Sequence, residues 1–409
     1  MTRKDSTTSL SCLSTFTGAG GLDLGLEAAG FDVVGCVETD DWCRTTLAAN
    51  RPGWRQLGPH DVVAFAKKLK EGRIPDGLRD VDLLAGGPPC QPYSKAAQWR
   101  PSGRAGLDDP RAAALDGFLD LINILTPRAV LIENVSGFAK GRSSSVGHIR
   151  KALAIVNKRQ GTCYELDFEV LDAADYGVPQ KRERAFLVAF RDGVDGWQWP
   201  ATTHAAQPTT AWDALHAIVL DDVPVPQGKW AALLPSIPEG QNYVWHTNRG
   251  GGQRLFGYRT RFWSFLLKLA KTKPSWTVPA NPGPSTGPFH WDNRPLAPLE
   301  VLRLQSFPAD WELSGSLRAQ LRQAGNATPP LLAEVVGRSV ARHLDPQLNP
   351  TKSYRHAIPR AADEPPPPED VAPIPAKYRG LVGNHNDHPG TGKGPSPVSL
   401  GSSATPEDG

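Results

Sequence analysis

Three features of the sequence predict an α/β fold, a doubly wound and mainly parallel sheet carrying a smaller, irregular second domain. The first 190 residues alternate short β-branched runs with amphipathic helical patterns, the arrangement that folds as parallel strands with crossover helices. Unusual residues, among them glycines, a cysteine and glutamates, fall at the ends of these runs, where parallel sheets gather their ligands. From about Pro200 to Asn293 the alternation breaks into Gly, Pro and aromatic punctuation, and periodicity returns only beyond it.

The elements follow in order. "LSTF" (13–16) reads as the first strand, and "TFTGAGGLDLG" places Gly18, Gly20 and Gly21 at the start of the helical pattern "GLDLGLEAAG". "FDVVGCV" (31–37) is the second strand and ends at Glu38; "VDLLA" (81–85) is the third and runs into "GGPPC". The helical "LDGFLDLINIL" precedes "AVLI" (129–132), which ends at Glu133, and "PQKRER" (179–184) leads into "AFLVAF" (185–190). In the irregular region "RFWSFLLKLAK" is the one expected helix. "LAPLEVLRLQSF" and "PPLLAEVVGRSVARHL" then read as return helices. Beyond Asp345, "DEPPPPEDVAPIPAK" and a Gly/Ser/Pro-rich end have the composition of a disordered tail, with "KYRGLVGNHNDH" as a short docking patch. The expected boundaries are 1–199, 200–293, 294–344 and 345–409.

At 409 residues the chain is long enough for two domains and a sizeable core. No run approaches the roughly 18 apolar residues of a membrane span, and "MTRKDSTTSL" lacks the apolar stretch of a signal peptide. The five cysteines are odd in number and form no CxxC pair, which disfavours a disulfide framework or zinc ribbon and points to a reducing cytoplasm. The net charge of +3 hides a local asymmetry: between Gln241 and His290 there are seven Lys or Arg, no Asp or Glu, and nine aromatics. Such a segment is either a nucleic-acid surface or a small domain with its own aromatic core, and composition alone leaves both open. The ten histidines show no metal-ligand spacing, and GxSxG, GxGxxG and GxxxxGK[ST] are all absent.

A glycine turn opening a helix lets backbone N–H groups approach a polar ligand, and a carboxylate ending the next strand typically binds ribose hydroxyls. Gly18, Gly20, Gly21 and Glu38 together therefore point to a nucleoside cofactor. Cys90 follows two prolines on a stiff platform and is either a buried structural thiol or an aimed nucleophile. Glu133 at the neighbouring strand end favours the second reading. Arg182 and Arg184, two apart, share one side of the entering strand.

Taken together, "FTGAGG", "VETD", "GGPPCQPYS", "LIENV", "YGVPQKRERAFLVAF", "RPLAPLEVLRLQSFP" and "QAGNATPPLLAE" resemble the ordered motifs of the C5-cytosine DNA methyltransferases, from about Ser11 to about His343. The resemblance implies a methyltransferase fold, S-adenosylmethionine as methyl donor and a role for each residue. Cys90 as thiolate would add to cytosine C6, Glu133 would hydrogen-bond N3 and the exocyclic amine, and Arg182 and Arg184 would hold O2. Phe16 would stack on adenine, Gly18, Gly20 and Gly21 would approach the methionine part, Glu38 would bind the ribose, Asp61 the adenine amine, and Asn326 would close the pocket. Thr39 departs from the pattern, since many members carry an aromatic there, and the glutamine-to-arginine spacing is kept at Gln180, Arg182 and Arg184.

In the family's order, residues 200–293 occupy the target-recognition position. This favours DNA contact for the basic segment, with Arg249, Arg254, Arg259 and Arg261 as candidates for guanine edges and "NRGGGQR" as a loop suited to a groove. The implied partner is double-stranded DNA, methylated by a monomeric bacterial enzyme that shields a short site from a cognate restriction endonuclease. The alternatives are a tRNA cytosine-5 methyltransferase of the same fold, whose "CFT" tripeptide is missing, and a catalytically idle DNA-binding protein. A nicotinamide-dependent oxidoreductase would leave Cys90, Glu133 and the basic segment unexplained.

Overall fold

The computed structural model describes residues 9–72, 74–89, 110–141, 144–260, 262–348 and 353–387. Its elements are β1 (Leu10–Thr15), α1 (Gly21–Ala28), β2 (Phe31–Val37), α2 (Asp41–Asn50), α3 (Val62–Glu71), β3 (Leu83–Gly86), α4 (Pro110–Leu125), β4 (Ala129–Val135), the single turn α5 (Ser136–Ala139), α6 (Val146–Gln160), β5 (Glu165–Asp172), β6 (Glu183–Phe190), the short α7 (Ala211–Leu215), then α8 (Pro298–Arg303), α9 (Leu317–Asn326) and α10 (Pro330–Leu344). The strands form one sheet in the order β2-β1-β3-β4-β6-β5. The first four are parallel, and β6 runs antiparallel to both β4 and β5.

Alternation along the strands sends side chains to two separate cores. Val130 and Ile132 of β4 join Phe65, Phe118, Ile122 and Ile149 under α3, α4 and α6. Ala129 and Leu131 face the opposite layer, with Leu22 and Leu26 of α1 and Leu332, Val336 and Val340 of α10. This buries both faces, which explains why β4 reads as an unbroken apolar run.

The contact of α1 with α10 brings together elements from opposite ends of the chain on one face of the sheet. A Cβ on Gly25 would lie 2.4 Å from Ala333 Cβ and 2.5 Å from both the Glu334 amide nitrogen and the Pro330 carbonyl oxygen, and one on Gly337 would lie 2.9 Å from Ala29 Cβ. Glycine here permits close helix packing. Under the first turn of α1, Asp23 is fully buried. Burial first, with Glu38 and Glu27 adding to it and the Ser14 hydroxyl opposing, pushes its carboxyl up to about 7.

Three expectations need correction. Strand β5, "ELDFEVLD", went unrecognised because four acidic residues interrupt its apolar positions, as suits an edge strand with only two residues buried. "RFWSFLLKLAK" is not helical where described: Leu266 has φ 53°, and Phe265 and Lys268 make isolated bridges to Thr286 and Phe289. Residues 266 to 269 are all buried, the lysine at 268 included, so the segment is enclosed on every side and has no amphipathic face. The proline-rich tail is ordered from 353 to 387: the Arg355 and His356 amides donate to Glu334, and Tyr378 is buried against the second domain.

Two outcomes follow. Gly25→Ala should cost about 1–3 kcal/mol in chemical denaturation, whereas Gly147→Ala, on an exposed position of α6 with nothing near its Cβ, should be neutral or gain up to about 1 kcal/mol. For Asp23 the folded state keeps a proton that the unfolded chain releases near 3.8. Its contribution is complete below that pH and is lost as pH rises through about 7. The Tm of Asp23→Asn relative to the parent should therefore rise between pH 5 and pH 8.

Candidate active site

A cavity of about 540 Å³ opens at the carboxyl edge of the sheet, where β1 to β4 deliver their following loops. Phe16 and Gly18 come from β1, Glu38 from β2, Pro88 and Pro89 from β3, Glu133 from β4, Arg184 from β6 and Asn326 from the end of α9, and all of them line it. The size suits a nucleoside-containing ligand. Glu38 organises one wall of the cavity: its carboxylate accepts the Gly18 amide at 2.7 Å and the Asp40 amide at 2.8 Å, which joins the glycine turn to the end of β2. Each carboxylate oxygen has a second lone pair for a ligand hydroxyl. Phe16 holds φ 54°, a left-handed value uncommon outside glycine.

Glu133 and Arg184 form the polar centre of the opposite wall. In the β4–β6 register Val135 faces Arg184 and Glu133 faces Phe186, so the two charged side chains are diagonal neighbours on one sheet face. Arg184 Nε lies 2.9 Å from Glu133 Oε1, and both side chains are nearly buried. The contact ties the Glu133 carboxyl group to one orientation. Asn134 donates from Nδ2 to the Pro88 carbonyl at 2.7 Å and so ties the proline turn to the strand that carries Glu133. Cys90 lies outside the described residues. Burial first, and nearby carboxylates second, raise the thiols of Cys12, Cys36 and Cys43, which keeps all three protonated.

Arg182 does not join this centre. It precedes the first paired residue of β6, Glu183, so the strand alternation that would align it with Arg184 has not begun. Its guanidinium is buried and donates to the carbonyls of Gly325 at 2.8 Å and Ala327 at 2.9 Å, gripping the segment that presents Asn326. Gly20 and Gly21 also stand off the cavity lining. Gly20 packs against Leu47 and Trp311, and a Cβ on Gly21 would lie 2.1 Å from the Thr328 carbonyl oxygen. Asp61 is exposed and caps α3 through the Ala64 amide at 2.9 Å. Three residues unremarked in the sequence do contribute: Asn134, Asp40 and Arg322, the last two paired at 2.6 Å across the cavity rim. The position of Asn134 beside Glu133 in "LIENV" was the one available signal.

The basic, aromatic segment proves to be both a core and a surface. Tyr243, Phe256, Leu266 and Phe289 are buried together with Leu233 and Tyr378. Lys268 is buried on the Ile237 carbonyl and Asn293, and Lys271 on Glu239. The glycines of "NRGGGQR" pack against Trp245, where Cβ atoms would meet the residue within 2.4 to 2.7 Å, so they serve that fit. Arg249, Arg254 and Arg259 border this loop and the next; Arg261 lies outside the described residues. At Ser275 the second domain touches the catalytic loop: the Lys181 amide donates to the Ser275 carbonyl at 2.8 Å, and Trp276, half-exposed, lies 5.5 Å from Lys181 Nζ.

This sheet, with a nucleoside-sized cavity at its carboxyl edge, is a methyltransferase fold. The Schizosaccharomyces pombe Dnmt2 methyltransferase aligns with a TM-score of 0.54 at 19% identity, over 82% of this chain and 99% of that one. The Entamoeba histolytica methyltransferase EhMeth gives 0.54 at 16% identity, over 83% and 100%. The chain belongs to the C-5 cytosine-specific DNA methylase family, whose model matches residues 10–342. It is 35% identical over 375 residues to the type II methyltransferase M.SacI of Streptomyces achromogenes, covering 82% of this chain and 93% of that protein. It is 33% identical over 353 residues to M.Sau96I of Staphylococcus aureus, covering 81% and 75%. The chain is accordingly a DNA (cytosine-5-)-methyltransferase.

The two arginines should separate experimentally. Arg182→Lys reaches fewer of the buried carbonyls and should lose about 1–3 kcal/mol of stability. Arg184→Lys retains the charge and should melt within a few degrees of the parent, while methyl transfer falls by roughly 100-fold as Glu133 loses its fixed orientation.

Proposed function

We propose that this enzyme methylates C5 of a cytosine flipped out of a specific duplex site, with S-adenosylmethionine as donor, as the modifying half of a restriction-modification system. One observation carries the reading: Glu133, the Pro88-Pro89 turn before Cys90 and the Glu38–Gly18 cluster line a single cavity. A base-handling carboxylate and a nucleoside-binding carboxylate thus share one chamber. Glu38, Phe16, Gly18 and Asn326 would hold the cofactor, which when bound supplies an electrophilic methyl group.

A stacked cytosine cannot reach such a cavity, and extruding it costs a few kcal/mol. Cys90, as thiolate, adds to C6 of the extruded base and pushes electrons toward C5. Glu133 accepts from the exocyclic amine and shares a proton with N3, which neutralises the charge that addition creates, and Arg184 orients its carboxyl group. After C5 is methylated it loses its proton, the C5–C6 bond regains its double character and the thiolate leaves. Arg182 supports this centre indirectly by anchoring residues 325–327. Support for the restriction-modification role comes from the relatives, two of which are named type II methyltransferases. Residues 200–293 are proposed as the target-recognition domain, on their exposed arginines and their contact at Lys181 with the loop that carries Arg182 and leads into β6.

Labelled S-adenosylmethionine tests the reading with unmethylated phage DNA and bulk tRNA as acceptors. The expected result is label in DNA, lost in Cys90→Ser and reduced about 100- to 10,000-fold in Glu133→Gln. Label in tRNA alone, or in DNA at an undiminished rate in Cys90→Ser, would overturn it. In the source cell, a methylome with one fully modified short motif is expected, and its absence would remove the restriction-modification assignment.

A further inference from the structure

Residues 371–387 pack along the second domain through a continuous set of specific contacts. The Ala372 amide donates to the Pro235 carbonyl at 2.9 Å. Tyr378 is buried, stacks on Trp230 with ring centroids 5.7 Å apart and 23° between planes, and donates its hydroxyl to the Lys229 carbonyl. Beyond it the chain runs beside residues 249–258. The Gly383 amide donates to the Arg254 carbonyl at 3.1 Å, and Arg254 donates to Asn384 Oδ1 at 2.9 Å. A Cβ on Gly257 would lie 1.9 Å from the Asn386 carbonyl oxygen, so this glycine is fitted to the passing segment. Asp387 ends the series: Oδ1 accepts the Tyr258 amide at 3.0 Å, and Oδ2 lies 3.3 Å from an Arg249 terminal nitrogen.

Arg249 is thereby held from two sides. Its guanidinium carbon lies 3.6 Å from the centroid of the Tyr258 ring, and Asp387 pairs with one end of the fork. The side chain is nevertheless 52% exposed. An arginine has five N–H donors and a guanine edge accepts from two of them, so one carboxylate contact leaves enough for a bidentate reading. Ordering a long side chain before the partner arrives removes part of the entropy cost of binding.

We propose that residues 371–387 complete the target-recognition domain and that Asp387 is a positioning residue, holding Arg249 flat on Tyr258 so that its exposed edge reads a guanine in the target site. This rests on the proposed DNA reading of residues 200–293. It assigns sequence discrimination in part to a segment that composition presents as a tail.

The test uses the full-length enzyme and its Asp387→Ala, Asp387→Asn, Arg249→Ala and Arg249→Ala/Asp387→Ala variants. Each is allowed to methylate unmethylated phage DNA, and bisulfite sequencing gives the ratio of modification at the enzyme's own motif to that at sites differing by one base pair. Melting temperature and S-adenosylmethionine affinity are measured in parallel. Asp387→Ala should lower the ratio at one base pair by roughly tenfold or more, with melting and cofactor affinity close to the parent. Asp387→Asn, which keeps an acceptor for the Tyr258 amide and loses the ion pair, should fall between. Adding Asp387→Ala to Arg249→Ala should change nothing further. An unchanged ratio in Asp387→Ala would overturn the proposal. A uniform rise in methylation at all sites would do so too, because Asp387 would then be covering a phosphate-binding arginine. Failure of the parent enzyme to methylate DNA would instead defeat the underlying reading and this proposal with it.

Discussion

The grip of Arg182 on the carbonyls of Gly325 and Ala327 is the contact on which the rest of the site depends. The second domain separates β6 from α8, α9 and α10 in sequence, yet the cavity needs residues from both sides of that interruption. A buried guanidinium holding two backbone carbonyls closes the gap where it is widest in sequence. Removing it would strand those acceptors away from water. The close approach of Gly21 to Thr328 and of Gly25 to Ala333 extends the same seam along α1.

With the seam closed, the sheet delivers its chemistry by topology. Parallel strands β1 to β4 send their carboxyl ends to one edge, and the antiparallel β6 brings Arg184 back alongside Glu133. Glu38 and Gly18 on one side and Glu133 and Arg184 on the other therefore line a single cavity. The second domain is fastened to the same edge through Ser275 and Lys181.

How legible this was depended on whether a residue's job was set locally or by packing. Strands β2 and β4 stood out as short apolar runs and helix α10 by its helical period; Glu38 and Glu133 were singled out because they end strands and Arg184 because it enters β6, and all three line the cavity. Arg182 lies apart from Arg184 for a physical reason: two residues apart means one face only inside a strand, and β6 starts at Glu183. Asp61 caps a helix, a contact that its sequence neighbours do not reveal. The docking patch "KYRGLVGNHNDH" was picked out from its aromatic and polar residues, but the surface fitted to it, here Trp230 and Gly257, lies elsewhere in the chain and could not be named from composition. Asn134, Asp40 and Arg322 gained meaning only from their three-dimensional partners.

The central claim is that a cysteine aimed by the proline turn attacks a base held by Glu133. A duplex carrying 5-fluorocytosine at the target position tests it most directly, because the C5–F bond cannot release its substituent as a proton and elimination of the thiolate is blocked. The account predicts a denaturant-stable conjugate of one enzyme, one DNA strand and one methyl group, with the DNA attached at Cys90 by peptide mass mapping. Attachment at another residue, or no conjugate from an enzyme that methylates the ordinary duplex, would contradict it.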